Sequence, residues 1–379
     1  MARVKDHLDE LDSLRGVASL SVVLYHATSL LGIAASLPFL FYTPWQVLMA
    51  GHQAVIFFFV LSGFVLALPY TVGRPRSYRT FLIRRVCRLY PPYIAAVIFG
   101  LVMRLLFSHI VINSLWTGRI GWVPFLHEVL MIDQFHQRYF DPVVWSLVVE
   151  IRMALFFPFL IWFILRVNWR WSLLTGFLLS ACGIVLHVHY QSQVDFFTNY
   201  FDTAHYALMF IAGALLAKHR AELLDWFRVL GMRAKILMGM GAFVLYTWTN
   251  PILWTWGLAG DLVSDWFTML ASCYFVLASL SSARFREILH MRPLQFLGRI
   301  SFSLYLVHLV VLLTLMNVLS GVVSPYIIMV GVVAISILLA SVSYRYLEEP
   351  SILLGRILTQ PNFTHHAHLL SQQGIREGK

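Results

Sequence analysis

The chain has 379 residues, 59% of them hydrophobic and 12% charged, with a mean hydropathy of +0.74. One soluble core cannot bury that much apolar surface, so the composition excludes a soluble globular protein and defines a polytopic membrane protein. The net charge of +10 does not imply nucleic-acid binding, because the basic residues are distributed as a topology signal.

Ten windows long enough to cross about 30 Å of hydrocarbon follow one another near residues 13–34, 47–70, 91–112, 143–165, 171–189, 203–217, 234–250, 258–280, 300–319 and 324–346. The expected fold class is all-α, a polytopic transmembrane helix bundle of about ten spans. No small-residue cleavage site closes the first window, so that helix is expected to be retained rather than removed as a signal peptide. An even number of spans places both termini on one side, and that side collects 24 of the 28 Lys and Arg residues. The expected topology is therefore N-in and C-in. No repeat or second domain interrupts residues 1–350, the expected membrane domain. Residues 351–379, with His365, His366 and His368, read as a short cytoplasmic tail. Cys87, Cys182 and Cys273 have no metal-ligand spacing, so neither a disulfide nor a metal site is expected.

Polar groups inside these windows point to chemistry. The first, LRGVASLSVVLYHATSLL, carries Arg15 and His26. Eleven steps of about 100° return to nearly the same helix face, about 16 Å along the axis. An ionisable residue inside a span costs on the order of 2.5 kcal/mol or more, and histidine is suited to moving protons near neutral pH. The plainer reading is a histidine hydrogen-bonded between helices for packing. In RRVCRLYPPY, Arg84, Arg85 and Arg88 lie at the cytoplasmic mouth just before Pro91 and Pro92, which are expected to open the third span. Forked guanidinium donors suit phosphate groups; the alternative is a positive-inside marker.

The connection 113–142 is rich in rings: Trp116, Trp122, Phe125, His127, Phe135, His136, Tyr139 and Phe140. Such residues anchor a protein at the interface, and the alternative is a lid over an acceptor. In VVWSLVVEIRMALFFP, Glu150 is expected roughly 10 Å from the external side, level with His26, as an acid/base partner. Pairing with Arg152 or Trp145 is the structural alternative. Finally, GRISFSLYLVHLVV places His308 near mid-membrane, as a second site histidine or an interhelical hydrogen-bond partner. YRYLEEPS places Glu348 at the cytoplasmic rim, where it is expected to neutralise an arginine.

The ordered set Arg15-x10-His26, FFFVLSGFVLA, RRVCRLYPPY, VVWSLVVE, GRISFSLYLVH and YRYLEEP resembles the membrane acyltransferase-3 family over residues 10–350. The resemblance implies a bacterial cytoplasmic (inner) membrane enzyme that O-acylates sugars of surface polysaccharides, glycolipids or related glycosides. It implies Arg15 and His26 as the functional pair and carries over Arg84, Arg85 and Arg88 as the arginine motif; Glu150 and His308 are further catalytic candidates from their positions within the spans. The implied co-substrate is acyl-CoA, most simply acetyl-CoA, with no permanently bound cofactor. The implied partners are a sugar or glycolipid acceptor and the lipid bilayer, without nucleic acid.

Acyl-CoA is cytosolic and its nucleotide end is anionic, so an arginine-lined mouth suits it. The thioester would then reach His26, acting as general base on a sugar hydroxyl with Glu150 orienting it; a covalent acyl-histidine is the variant. The competing class is a proton-coupled transporter or flippase, with His26, Glu150 and His308 as a proton relay.

Overall fold

The computed structural model describes residues 8–37, 39, 43–73, 75, 77–108, 115–116, 121–131, 141–192 and 199–360. Its regular elements are helical: α1 (Asp9–Leu30), α2 (Ile33–Ser36), α3 (Gly51–Thr71), α4 (Tyr78–Phe107), α5 (Trp122–Leu130), α6 (Trp145–Arg166), α7 (Trp169–Tyr190) and α8 (Tyr200–Lys218). The second half continues with α9 (Arg220–Val229), α10 (Met232–Leu253), α11 (Leu258–Ser281), α12 (Ala283–Leu289), α13 (Arg292–Leu319), α14 (Pro325–Ser343) and α15 (Glu349–Ile357). Among the described residues, nine helical segments are long and apolar enough to cross a membrane. They coincide with nine of the ten expected windows, and the tenth is α1.

At 22 residues, or about 33 Å, α1 has the length of a span. Its polar complement keeps it out of the apolar set, and that complement faces protein. Ser13, Ser19, Ser21 and Thr28 are all buried. The partner is α13, aligned parallel and in register. Gln295 Nε2 donates to Ser13 Oγ at 2.8 Å, Ser19 Oγ donates to the Ser301 carbonyl at 2.9 Å, and His26 meets His308, each pair 282 residues apart. Gly16 and Gly298 keep the same offset and permit the close approach. A Cβ on Gly16 would lie 2.5 Å from the Gly298 nitrogen, and one on Gly298 2.5 Å from the Asp12 carbonyl oxygen. Small residues at a helix crossing are how membrane helices gain contact without a hydrophobic driving force.

On the other side α3 runs antiparallel to α8 through a second glycine contact. A Cβ on Gly213 would fall 1.9 Å from the Val60 carbonyl oxygen, and one on Gly63 2.2 Å from that of Phe210. The pairs α1/α13 and α3/α8 thus form a fixed centre, against which α4, α6 and α11 carry further site residues.

One local expectation is corrected. Pro91 and Pro92 do not open a span; they lie inside α4, which begins at Tyr78 with Ser77 Oγ accepting from the Thr80 amide at 3.3 Å. An interior proline costs about 3 kcal/mol in an isolated helix, but neighbouring helices re-satisfy the freed carbonyls within a membrane bundle. The arginines of RRVCRLYPPY therefore stand within the helix rather than in front of it. The YRYLE stretch, Tyr344–Glu348, is a single π-helical turn that joins α14 to α15 and tucks Glu348 inward, only 4% exposed.

Candidate active site

The register of α1 and α13 sets the first group. His26 Nδ1 lies 3.0 Å from His308 Nε2, and His308 Nδ1 lies 2.7 Å from the Tyr305 carbonyl and 3.2 Å from that of Leu304. A carbonyl only accepts, so His308 carries its proton on Nδ1 and its Nε2 accepts from His26 Nδ1–H. In the neutral pair this leaves the lone pair of His26 on Nε2. His308 is fully buried, whereas His26 lines a cavity of about 300 Å³ with Tyr25, Ser29, His52, Trp145, Tyr305 and Leu309. This cavity lies at the C-terminal end of α1, away from the arginines.

The second group lies toward the basic end. Arg15, Arg85, Arg88 and Glu150 line a narrower cavity of about 80 Å³ together with Ser62, Ser146 and Tyr305. Glu150 accepts from Arg85 Nη2 in a close ion pair and from Ser62 Oγ at 3.1 Å. Arg15 is 3.5 Å from Asp12, one turn earlier on α1. Arg88 makes no hydrogen bond or ion pair among the described residues. Three guanidinium groups against one lining carboxylate give the cavity a cationic surface fitted to an anion.

The two cavities share Val55 and Tyr305 as lining. The Tyr305 hydroxyl donates to the Val143 carbonyl at 2.9 Å and accepts from Ser146 Oγ at 2.8 Å, with Phe58 edge-on to its ring at 6.0 Å. A pinned aromatic ring therefore separates a cationic chamber from a histidine chamber.

Several expected site residues take different places. Glu150 does not reach His26; it belongs to the arginine chamber, because the Arg85 guanidinium offers a charge-assisted bond that a neutral imidazole does not match. Of the two structural alternatives, Arg152 donates to Thr203 Oγ1 at 3.0 Å and stacks over Tyr200 at 4.4 Å, and Trp145 stacks on His52 at 6.3 Å. Arg84 stands apart from Arg85 and Arg88, its Nε donating to Thr359 Oγ1 at 2.7 Å beside α15. Glu348 accepts from Ser303 Oγ at 2.8 Å within the field of Arg88 and Arg15.

In the ring-rich connection, Trp116 is buried and Trp122 is 82% exposed. Trp122 also meets Phe125 edge-on at 6.4 Å. Phe135, His136, Tyr139 and Phe140, like His365, His366 and His368 of the tail, lie outside the described residues. The described residues contain no cluster of ligands able to hold a metal ion.

Sequence reasoning does not single out the polar system behind the histidine chamber. His52 Nε2 lies 2.8 Å from Asp265 Oδ1, and the other oxygen of Asp265 is 3.2 Å from His205 Nε2. Nearby, His187 Nδ1 lies 2.5 Å from Asp202 Oδ1, and Asn199 Nδ2 donates to Asp202 Oδ2 at 2.7 Å. The signal is present in the sequence: Asp202, His205 and Asp265 all sit within apolar stretches, and the cost of an intramembrane charge applies to them as it does to His26.

The rim of the chamber contains a pH-sensitive element. Pro142 and Val143 line the cavity, and the preceding Asp141 accepts from the Val143 amide at 3.4 Å while its own amide donates to Glu128 Oε1 at 3.1 Å. Burial, then the charge of Glu128, holds the Asp141 carboxyl well above the ordinary carboxylate range. A group whose pKa is raised by folding contributes stability in acid and loses it as pH rises through the raised value. We expect Asp141→Asn to remove that loss, so the parent's thermal stability in detergent falls relative to the variant's from acid toward neutral pH. A constant difference across that range would contradict it.

Taken together, these features define a multi-pass membrane protein with two abutting chambers of opposite chemistry. Residues 8–345 match the family model described as an acyltransferase domain, that of the acyltransferase-3 family, and the chain belongs to this family. Among curated proteins it is similar to the O-acetyltransferase OatA of Staphylococcus aureus (strain NCTC 8325 / PS 47), 25% identical over 371 residues, covering 91% of this chain and 57% of that protein. It is also similar to the putative O-acetyltransferase SACOL0978 of S. aureus strain COL, 24% identical over 375 residues with the same coverage. The chain thus spans a little over half the length of these relatives. No solved structure matches the chain significantly.

Proposed function

We propose that the protein is a membrane O-acyltransferase that moves an acyl group, most simply acetyl, from cytosolic acyl-CoA to a hydroxyl of a surface sugar or glycolipid. The observation that carries this reading is the shared wall at Tyr305, with unpaired Arg88 on one side and His26 on the other. The family and the O-acetyltransferase relatives support the reaction class. In this reading the basic end faces the cytoplasm of a bacterial inner membrane, as the Lys and Arg distribution favours.

The phosphates of the donor would lie against Arg15, Arg85 and Arg88, with Glu150 fixing the direction of the Arg85 fork. The pantetheine arm would pass Tyr305 and bring the thioester to His26, whose Nε2 lone pair is presented by the hydrogen bond from Nδ1–H to His308. His26 would then act on the reacting atoms, as base toward the acceptor hydroxyl or as the nitrogen that receives the acyl group. A transporter would use the same buried histidines as a relay, but it gives no reason for an arginine-lined anion chamber that meets the histidine chamber at Tyr305.

Mass spectra of surface glycans from cells with and without the gene test the proposal. We expect an acyl increment, 42 mass units for acetyl, only where the gene is present. Identical spectra would overturn it.

A further inference from the structure

The histidine chamber contains two imidazoles, and only one has a role in the reading above. They differ in what stands behind them. His26 is backed by His308, whose remaining N–H is spent on backbone carbonyls, and neither ring is in an ion pair with a carboxylate among the described residues. A proton placed on His26 would therefore be stabilised by dipoles alone.

His52, at the first turn of α3 and 21% exposed in its side chain, is backed by the fully buried carboxylate of Asp265 at 2.8 Å. Trp145 stacks on the His52 ring at 6.3 Å. Asp265 is held in turn: His205 Nε2 is 3.2 Å from its second oxygen, His205 Nδ1 is 2.8 Å from Ser180 Oγ, and Trp266 Nε1 donates to Ser180 Oγ at 2.7 Å. A carboxylate that fixes an imidazole and stabilises its cation is what a general base needs. Such an extended buried chain exceeds what packing one histidine requires.

Resting on the acyltransferase reading, we propose that His52, held by Asp265, is a second catalytic residue: the base that takes the acceptor hydroxyl's proton while His26 carries the acyl group. In the first step His26 Nε2 bonds to the acyl carbonyl carbon and the carbon–sulfur bond breaks, releasing CoA as its thiolate toward the arginine chamber. In the second, the acceptor O–H gives its proton to His52 and its oxygen bonds to the acyl carbon. The carbon–nitrogen bond to His26 breaks, which restores the neutral imidazole with its proton still on Nδ1. His52 then releases the proton to water. The balance is acyl-CoA plus alcohol giving ester, CoA thiolate and one proton. His26 cannot be acyl carrier and proton acceptor in the same step, and His52 removes that conflict. Asp265 is a positioning residue.

The test uses membranes of the native host that carry the full-length protein, so that the acceptor is present, with radiolabelled acetyl-CoA as the probe. We expect His52→Gln to lower label transfer into glycan by about 100-fold or more. CoA affinity should be unchanged, and label should still appear on the enzyme after a rapid, cold denaturing quench at neutral pH. His26→Ala should abolish both signals. Asp265→Asn should lower transfer and shift its pH profile.

The groups that face His52 and bear on that profile are Asp261 and Asp265 from α11, Asp202 and His205 from α8, and Tyr25 and His26 from α1. Thermal unfolding of each variant identifies misfolding, and His52→Asn provides a second substitution. Transfer by either folded His52 variant within about threefold of the parent would overturn the proposal, as would loss of enzyme-bound label together with transfer. A parent that transfers no label would overturn the acyltransferase reading itself.

Discussion

Replacing His26 by alanine is expected to abolish acyl transfer while leaving membrane insertion and CoA affinity intact. The lone pair of the imidazole is presented to its chamber by a fixed donor bond, from its own Nδ1–H to His308 Nε2 at 3.0 Å. Loss of a positioned base or nucleophile typically costs about 100-fold to 10,000-fold in rate. The side chain is not a pillar of the fold: the α1/α13 crossing is held by Gly16, Gly298 and the Gln295–Ser13 and Ser19–Ser301 bonds on either side. Radiolabel transfer by detergent-purified His26→Ala protein, returned to membranes that supply acceptor, measures the effect. Activity near that of the parent would remove His26 from the reaction.

Arg88→Ala is expected to act on the donor instead. Arg85 already spends part of its guanidinium on Glu150, and Arg15 lies near Asp12, whereas Arg88 is the guanidinium in the chamber that no described side chain pairs. A charged hydrogen bond is worth about 1.5 to 3 kcal/mol, or roughly 10-fold to 150-fold in affinity. The dissociation constant for CoA, read by calorimetric titration of the detergent-solubilised protein, should rise within that range. Interactions made equally in the ground and transition states act on KM, so donor KM should follow with kcat largely kept. The matched experiment is Arg84→Ala, which should leave CoA affinity unchanged because its side chain is turned to Thr359. If Arg84→Ala weakens binding and Arg88→Ala does not, the donor is held elsewhere.

How much of this was legible in the sequence differs from residue to residue. Apolar runs of spanning length mark nine of the long helices, because such a run has few other uses, and the window at 13–34 marks α1 although its polar residues keep it out of that apolar set. The same reading puts His26 and His308 inside the bundle. It cannot see that they touch, because that contact depends on Gly16 and Gly298 bringing α1 and α13 together in register. Axial arithmetic places Glu150 level with His26, but depth carries no information about which way a helix face turns. The structure turns Glu150 to Arg85 and Ser62. Pro91 and Pro92 mislead for a related reason: a rule for helix starts in water competes with a bundle able to satisfy the freed carbonyls, and the true start is the Ser77 cap. His52 and Asp265 were the least visible. One stands at a helix end and the other 213 residues further on, and only the packed bundle makes them a pair.

Vesicles of defined orientation test most directly whether the acyl group crosses from the basic chamber to the histidine chamber. Acetyl-CoA does not cross a lipid bilayer unaided, so labelled acetyl-CoA added to sealed vesicles reaches only the outward-facing surface. Incorporation of label into glycan is expected in inverted vesicles, where the proposed orientation turns the arginine end to the bath, and not in right-side-out vesicles. Incorporation in right-side-out vesicles alone would contradict both the donor site at Arg15, Arg85 and Arg88 and the direction of transfer past Tyr305.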